Sequence, residues 1–343
     1  MNRRTFLLGL GAAACSGTPK AEPPHPRRTG RVGLDAHDHE PTEELVLANV
    51  LRTPIALHHD RLVQETRNGE LRFWDAIAMT QVGTIELRTH GFCFLSYGAL
   101  AALVQPRGAK RLEVHLIDAN RDVRVLRGPE LDTEIDAEVV PGASPTEIYI
   151  SDADYDIVRL DLRETEARTT ARLKVELKPL LTLRQLTSLG DGRLVLRGEA
   201  KLSVLEPKKP TVELATTQHP VHVVAASGGR VWYSHTPQLV PPREVSLVRV
   251  DSGTLAVDGH VDLSPGEIWH MASGAGALAL LVHRERAWSV VVVEESGTER
   301  WRVDVPSTFD RGHVAIAEHR VVVVDNATDA LIAWDAATGK PIT

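Results

Sequence analysis

Short apolar runs alternate with polar turns along nearly the whole chain beyond residue 43. Val245-Ser246-Leu247-Val248-Arg249-Val250 and Arg230-Val231-Trp232-Tyr233 are typical runs, and Ser227-Gly228-Gly229 and Asp251-Ser252-Gly253 are typical breaks. A period of two sends successive side chains to opposite faces of a pleated strand, and Gly, Asp and Ser supply the turn conformations that end it. No stretch sustains the 3.6-residue period of a helix. Residues 99–104 and 161–173 admit a short helical reading, but the flanking strand pattern fits them better.

One phrase recurs: a β-like run that closes on an acid, a small polar turn, then another β-like run. The acids are Asp75, Asp118, Asp161, Glu206, Asp251, Glu295 and Asp335, spaced by 43, 43, 45, 45, 44 and 40 residues. Four short strands per unit at that period is the pattern of a β-propeller. The expected fold is therefore all-β, a seven-bladed propeller over residues 43–343. In the fifth unit, strand a is placed at 222–225, b at 230–233, c at 245–250, and d begins at 255. After Asp335 only residues 336–343 remain, too few for a fully paired outer strand. The β-like run Glu44-Leu45-Val46-Leu47-Ala48-Asn49-Val50 precedes the first unit. It is predicted to complete the last blade, because an open ring would leave an unpaired sheet edge.

The amino terminus has a different character. Arg3 and Arg4 precede Phe6 and an apolar run that ends at Ala14, far shorter than the roughly 20 residues a membrane-spanning helix needs. The stretch 2–8 resembles a twin-arginine export signal, which is an address and not an anchor. Ala12-Ala13-Ala14 before Cys15 resembles a lipoprotein box, although leucine is usual where Ala12 stands. Cleavage after Ala14 by an ordinary signal peptidase is the alternative. Residues 16–42 are rich in proline and charge and are expected to form an extended tether. The expected location is periplasmic or cell-surface, bound to a bacterial membrane through Cys15.

Charge narrows the partners. The chain carries 39 basic and 46 acidic residues, a net charge of −7. Losing Arg3 and Arg4 with the signal makes it more acidic, which argues against nucleic acid as a partner. If Cys15 carries lipid, the other cysteine, Cys93, has no disulfide partner, and its apolar neighbours mark it as a small buried hydrophobe.

Ala333-Trp334-Asp335-Ala336-Ala337-Thr338-Gly339-Lys340 resembles the repeat of the pyrroloquinoline-quinone-type and WD-repeat propellers, and Leu71-Arg72-Phe73-Trp74-Asp75 resembles a WD third strand. The resemblance covers 43–343 as architecture and two units as motif. Quinone-dependent dehydrogenases of that superfamily usually have eight blades and a longer chain, so the repeat does not imply their cofactor. Exported propeller lipoproteins that help assemble outer-membrane barrels share the anchor and the repeat type.

Aligning the units places His90, His222, His270 and His313 seven to nine residues before strand b, where four imidazoles could converge on the channel rim. Neutral imidazole suits zinc, copper or nickel, and Asp136 or Glu138 could add a carboxylate. Such a site is similar to the copper-histidine propeller of nitrous oxide reductases, which are longer and use more histidines. His37-Asp38-His39-Glu40 lies in the tether, His58-His59-Asp60 reads as a turn, and Asp152, Asp154 and Asp156 alternate without the glycine and glutamate of a calcium loop. There is no nucleophile elbow, metalloprotease motif or phosphate-binding glycine loop. The sequence requires no cofactor and points to a monomeric, non-catalytic module that binds a protein or small ligand at its rim. An oxidoreductase-like metal propeller using the four histidines is the alternative.

Overall fold

The computed structural model describes residues 54–106, 109–130, 139–151, 157–163, 165–173, 185–197, 201–206, 209, 212–216, 224–235, 246–263, 266–284 and 287–342. The chain divides into two units, 1–42 and 43–343, and every described residue belongs to the second. The signal residues Arg3, Arg4, Phe6 and Cys15, the tether, the run 44–50 and the acids 136, 138, 152, 154 and 156 lie outside the described residues.

Strands β1 (Ile55–His58), β2 (Arg61–Glu65), β3 (Glu70–Asp75) and β4 (Thr80–Glu86) pair antiparallel in chain order. The same meander recurs as β5 (Gly91–Phe94), β6 (Leu100–Val104), β7 (Arg111–Ile117) and β8 (Val123–Glu130). It returns as β9 (Val139–Pro141), β10 (Glu147–Ser151), β11 (Ile157–Arg163) and β12 (Glu166–Leu173). Next come β13 (Gln185–Ser188), β14 (Leu194–Arg197), β15 (Lys201–Leu205) and β16 (Val212–Thr216), then β17 (Val224–Ser227), β18 (Arg230–His235), β19 (Ser246–Asp251) and β20 (Val257–Asp262). The last two are β21 (Glu267–Gly274), β22 (Ala277–Arg284), β23 (Ala287–Glu294) and β24 (Glu299–Asp304), followed by β25 (Gly312–Ile316), β26 (Arg320–Asp325), β27 (Leu331–Asp335) and β28 (Pro341–Ile342). The outer strands β8 and β12 touch in parallel at Arg127 and Glu166, which joins their two meanders into one eight-stranded sheet. The described residues of 99–104 and 161–173 lie in strands and the connections between them, as the flanking pattern indicated, and among the described residues no helix is long and apolar enough to cross a membrane.

The strand sequences follow from what covers them. Ala277 to Val282 of β22 are all buried and read as one apolar run, because a neighbouring sheet lies on each face. The outermost strand β4 has one side open and carries mostly exposed residues. Hydrophobic clusters fill the boundaries between consecutive meanders: Val63, Phe73 and Phe92 join the first to the second, and Trp288, Val314 and Val323 join the sixth to the last. Each fully buried Val, Leu or Phe in these layers contributes about 1.5–3 kcal/mol.

The innermost strands neighbour one another in the order β1, β5, β9, β13, β17, β21, β25 and back to β1. Ile55 and Leu62 of the first meander share a cluster with Val322, Val324 and Ala333 of the last, so the ring closes by direct packing of its two ends. Gln64 Nε2 donates to the Asp329 carbonyl at 2.7 Å, and the Arg67 amide donates to the Asp329 carboxylate.

The fifth innermost strand is described from Val224 to Ser227. Its expected start at 222 lies outside the described residues, and so does His222. The outer strand of the last meander is only partly paired, as the few residues after Asp335 led to expect: β28 holds two residues, Ile342 opposite Ala333 and Pro341 opposite Trp334. The tight turn after Asp335 brings the chain back quickly enough for that short pairing.

Candidate functional site

Down the axis runs a channel of about 380 Å³, walled by all of the innermost strands. Phe92, Phe94, Leu57 and Met271 are among its apolar lining residues, and His58, Thr187, His270 and Ser273 are its polar side chains. Ser273 donates to the Ala226 carbonyl of the neighbouring meander. Cys93 also lines the channel; burial pushes its thiol up to about 12, so it stays protonated and unreactive at neutral pH.

Of the histidines grouped by the sequence, the three that are described do not stand in one register. His90 precedes β5 and its amide donates to the Leu103 carbonyl, while His270 sits within β21 and His313 within β25. The structure brings His270 and His313 together, their rings edge to face with centroids 4.7 Å apart. Both are already used. The Val314 amide donates to His270 Nδ1 at 3.2 Å, which leaves the proton on Nε2, and His313 Nδ1 meets Asn326 Oδ1 at 3.2 Å. Among the described residues no three histidine, cysteine or acidic side chains lie close enough to hold a metal. His58 ends β1 opposite Arg61, and His59, at φ 53°, and Asp60 form the turn to β2.

The recurring acids have a local task. Asp75 Oδ1 accepts the amides of Ile77 and Ala78, and Asp118 Oδ1 accepts those of Asn120 and Asp122. Asp251 Oδ1 accepts the amides of Gly253 and Thr254 and the Thr254 hydroxyl. Asp335 repeats this with Thr338. The Thr254 amide and hydroxyl hold Asp251 below its ordinary carboxylate range, and the Thr338 hydroxyl and amide do so for Asp335. Leu255 at φ 60° and Gly339 at φ 68° occupy the left-handed position that completes the turn. The other three acids differ. Asp161 lies inside β11 and pairs with Arg163, Glu206 pairs with Lys209, and Glu295 follows a strand whose last acid, Glu294, is held by Arg300.

No protein-family model matches the sequence, and none of the curated proteins is similar enough to count as a relative. Solved structures are similar in shape. The chain superposes on BamB from Moraxella catarrhalis with a TM-score of 0.50 at 13% identity, covering 84% of this chain and 86% of that one. For the β-propeller domain of Cps50 (Swd1) from Myceliophteria thermophila the TM-score is 0.59 at 12% identity, covering 83% and 96%. For a chain of the mitotic checkpoint complex it is 0.61 at 12% identity, covering 98% and 99%. The chain is a β-propeller. At these identities the likeness carries the fold, with its four-stranded blades, and nothing about activity.

In propeller terms, a set of contacts that the sequence reading missed becomes plain. Arginines of one blade donate to a carbonyl in the turn between the third and fourth strands of the next: Arg61 to Asp118, Arg193 to Ser252, Arg249 to Glu295, and Arg300 to Ala336. Arg320 of the last blade donates to Ile77 of the first and so spans the seam. Arg61 and Arg320 each open the second strand of a blade and Arg193 directly precedes one, and that recurrence was the available signal.

The imidazole pair makes the propeller sensitive to acid. Burial, then the neighbouring His313, lowers His270 well below 6.5. The unfolded chain therefore binds a proton near pH 6.5 that the folded one refuses, so stability is full above that pH and falls as pH drops below it. The loss is at most about 1.4 kcal/mol per pH unit for one such group. His270→Asn keeps an acceptor for the Val314 amide but does not titrate. Its melting temperature is expected to fall less than that of wild type between pH 7.5 and 5.5, and parallel profiles would refute the assignment.

Proposed function

We propose that this protein is a seven-bladed propeller that serves as a non-catalytic binding platform, exported through its twin-arginine signal and anchored by lipid on Cys15. Supporting the blade number are the closed order of innermost strands and the spacing of the acids. Arg3, Arg4, Phe6 and Cys15 support the address. The run 44–50 is assigned to the outer edge of the last blade, beyond or beside the two residues of β28.

The observation that carries the binding role is where polar chemistry is spent. His270, His313 and Ser273 in and beside the channel are bonded into the blade walls, whereas large apolar side chains stand free on the outer surface. Burying such side chains against a partner is favourable, and bound polar groups offer no reacting centre. Metal analysis of the full chain tests the reading: no stoichiometric transition metal is expected. A stoichiometric metal lost on replacing His270 and His313 by alanine would overturn it in favour of an oxidoreductase-like site. The anchor is tested by detergent-phase partitioning, where wild type is expected in the detergent phase and Cys15→Ala in water.

A further inference from the structure

Seven large apolar side chains are exposed among the described residues, and five of them belong to the first two blades. Ile77 (50% exposed) lies in the turn before β4 and Val82 (47%) on β4, Tyr97 (55%) lies in the turn between β5 and β6, and Val123 (43%) and Val125 (47%) lie on β8. On β8, Val123 is opposite Ile117 and Val125 opposite His115, while Leu126 alone of its neighbours turns into the core shared with the third blade. Clustering on two adjacent blades is unlike the scattered exposure of single apolar residues on ordinary surfaces.

Between these blades lies a groove of about 230 Å³, walled by Phe73, Asp75 and Val82 on one side and Ala119 and Arg121 on the other. Arg121 reaches across it. Its side chain lies over Gly83 of β4, where a Cβ would come within 2.7 Å of the Arg121 Cδ, so the missing side chain makes room for this approach. Arg121 itself holds φ 71°, an unusual conformation for a branched-chain-free but bulky residue that costs about 1–2 kcal/mol. Arg121 and Arg124 are both exposed, and neither guanidinium makes a hydrogen bond or ion pair in the described structure. Of the acids lining the groove or its rim, Asp75 and Asp118 cap turns, and Asp60 and Asp118 face Arg61. β4 is the outermost strand of its sheet. The site thus combines apolar side chains, two unmatched positive charges and an open strand edge.

We infer that the groove between the first two blades, flanked by Val82, Val123 and Val125 and crossed by Arg121, docks an extended segment of a partner protein that alternates apolar and carboxylate side chains. This rests on the binding-platform reading and gives it a place and a ligand chemistry. The segment lies along β4 so that its backbone uses the free edge. Its apolar side chains cover the valines, and its carboxylates meet Arg121 and Arg124, which also selects against basic segments.

The test is fluorescence anisotropy of the full chain with two labelled ten-residue probes, one alternating leucine and glutamate, the other leucine and lysine. The acidic probe is expected to bind at least tenfold more tightly than the basic one, and Arg121→Glu and Val123→Glu/Val125→Glu each to weaken it at least tenfold. Each variant is melted beside wild type; Arg121→Ala, which removes only an exposed side chain, gives the answer if a glutamate variant melts early. Equal binding of the two probes, no binding of either, or binding untouched by these substitutions would overturn the site. Binding that survives them but is lost on substituting another surface would leave the platform reading standing.

Discussion

Trp232→Ala is expected to destabilise the propeller by about 3–5 kcal/mol, the range for emptying a buried tryptophan site. Trp232 on β18 is 0% exposed and packs between two blades with Ala225, Leu247, Leu278 and Val291. The Arg249 guanidinium lies 5.5 Å from its ring centroid, and the same arginine donates to the Glu295 carbonyl of the next blade. Removing the indole therefore empties a core site and takes away the surface on which an inter-blade contact rests. The indole Nε1 has no hydrogen-bond partner, and a buried unpaired donor costs about 1–3 kcal/mol. Trp232→Phe keeps most of the packing and deletes that donor, so it is expected to cost less than half as much as alanine. Denaturant midpoints of the three proteins decide it. A phenylalanine variant as unstable as the alanine one would show that the N–H contributes through a bound water.

Such a residue could be placed in a strand from sequence alone, and the reasons show how far that reading reaches. The acids were readable because a carboxylate beside a turn bonds to amides two or three residues ahead, a contact written into adjacent positions, as at Asp75 and Asp251. It failed to locate the turn at Asp161, since β11 runs on to Arg163. His270 could not be put in register with His90 and His313, because the irregular pairing between Ile268 and His270 shifts β21 against β22 in a way no local pattern announces. The recurrence of the arginines was legible, but their partners were out of reach for a different reason: the contacts join residues 57 positions apart for Arg61 and Asp118, and 243 apart for Arg320 and Ile77. The groove between the first two blades was equally hidden, because Val82 and Arg121 meet only once the ring has formed.

Deletion of residues 43–51 is expected to abolish the cooperative thermal transition, whereas deletion of 16–42 leaves it in place. The last blade is the weak point. Its outer strand β28 has two residues, where β4 has seven and β8 has eight, and it pairs with β27 only at Ala333 and Trp334. Leu331 and Ile332 are thus left with no outer partner among the described residues. The run 44–50 has the seven-residue length of β4, and four residues, 51–54, separate it from β1. The connections 87–90 between β4 and β5 and 263–266 between β20 and β21 are equally long. A ring differs from a stack in that every blade is clamped from both sides, so loss at one blade exposes the clusters on its two faces together. Here those faces hold Val322 and Val324 against the first blade and Val323 and Trp334 against the sixth. Leu45→Asp/Leu47→Asp, which keeps the chain length but removes the apolar side of the proposed strand, is expected to lower the melting temperature in the same direction by a smaller amount. A protein lacking 43–51 that melts sharply at the wild-type temperature would show that β28 and the Arg320 contact to Ile77 suffice to hold the seam.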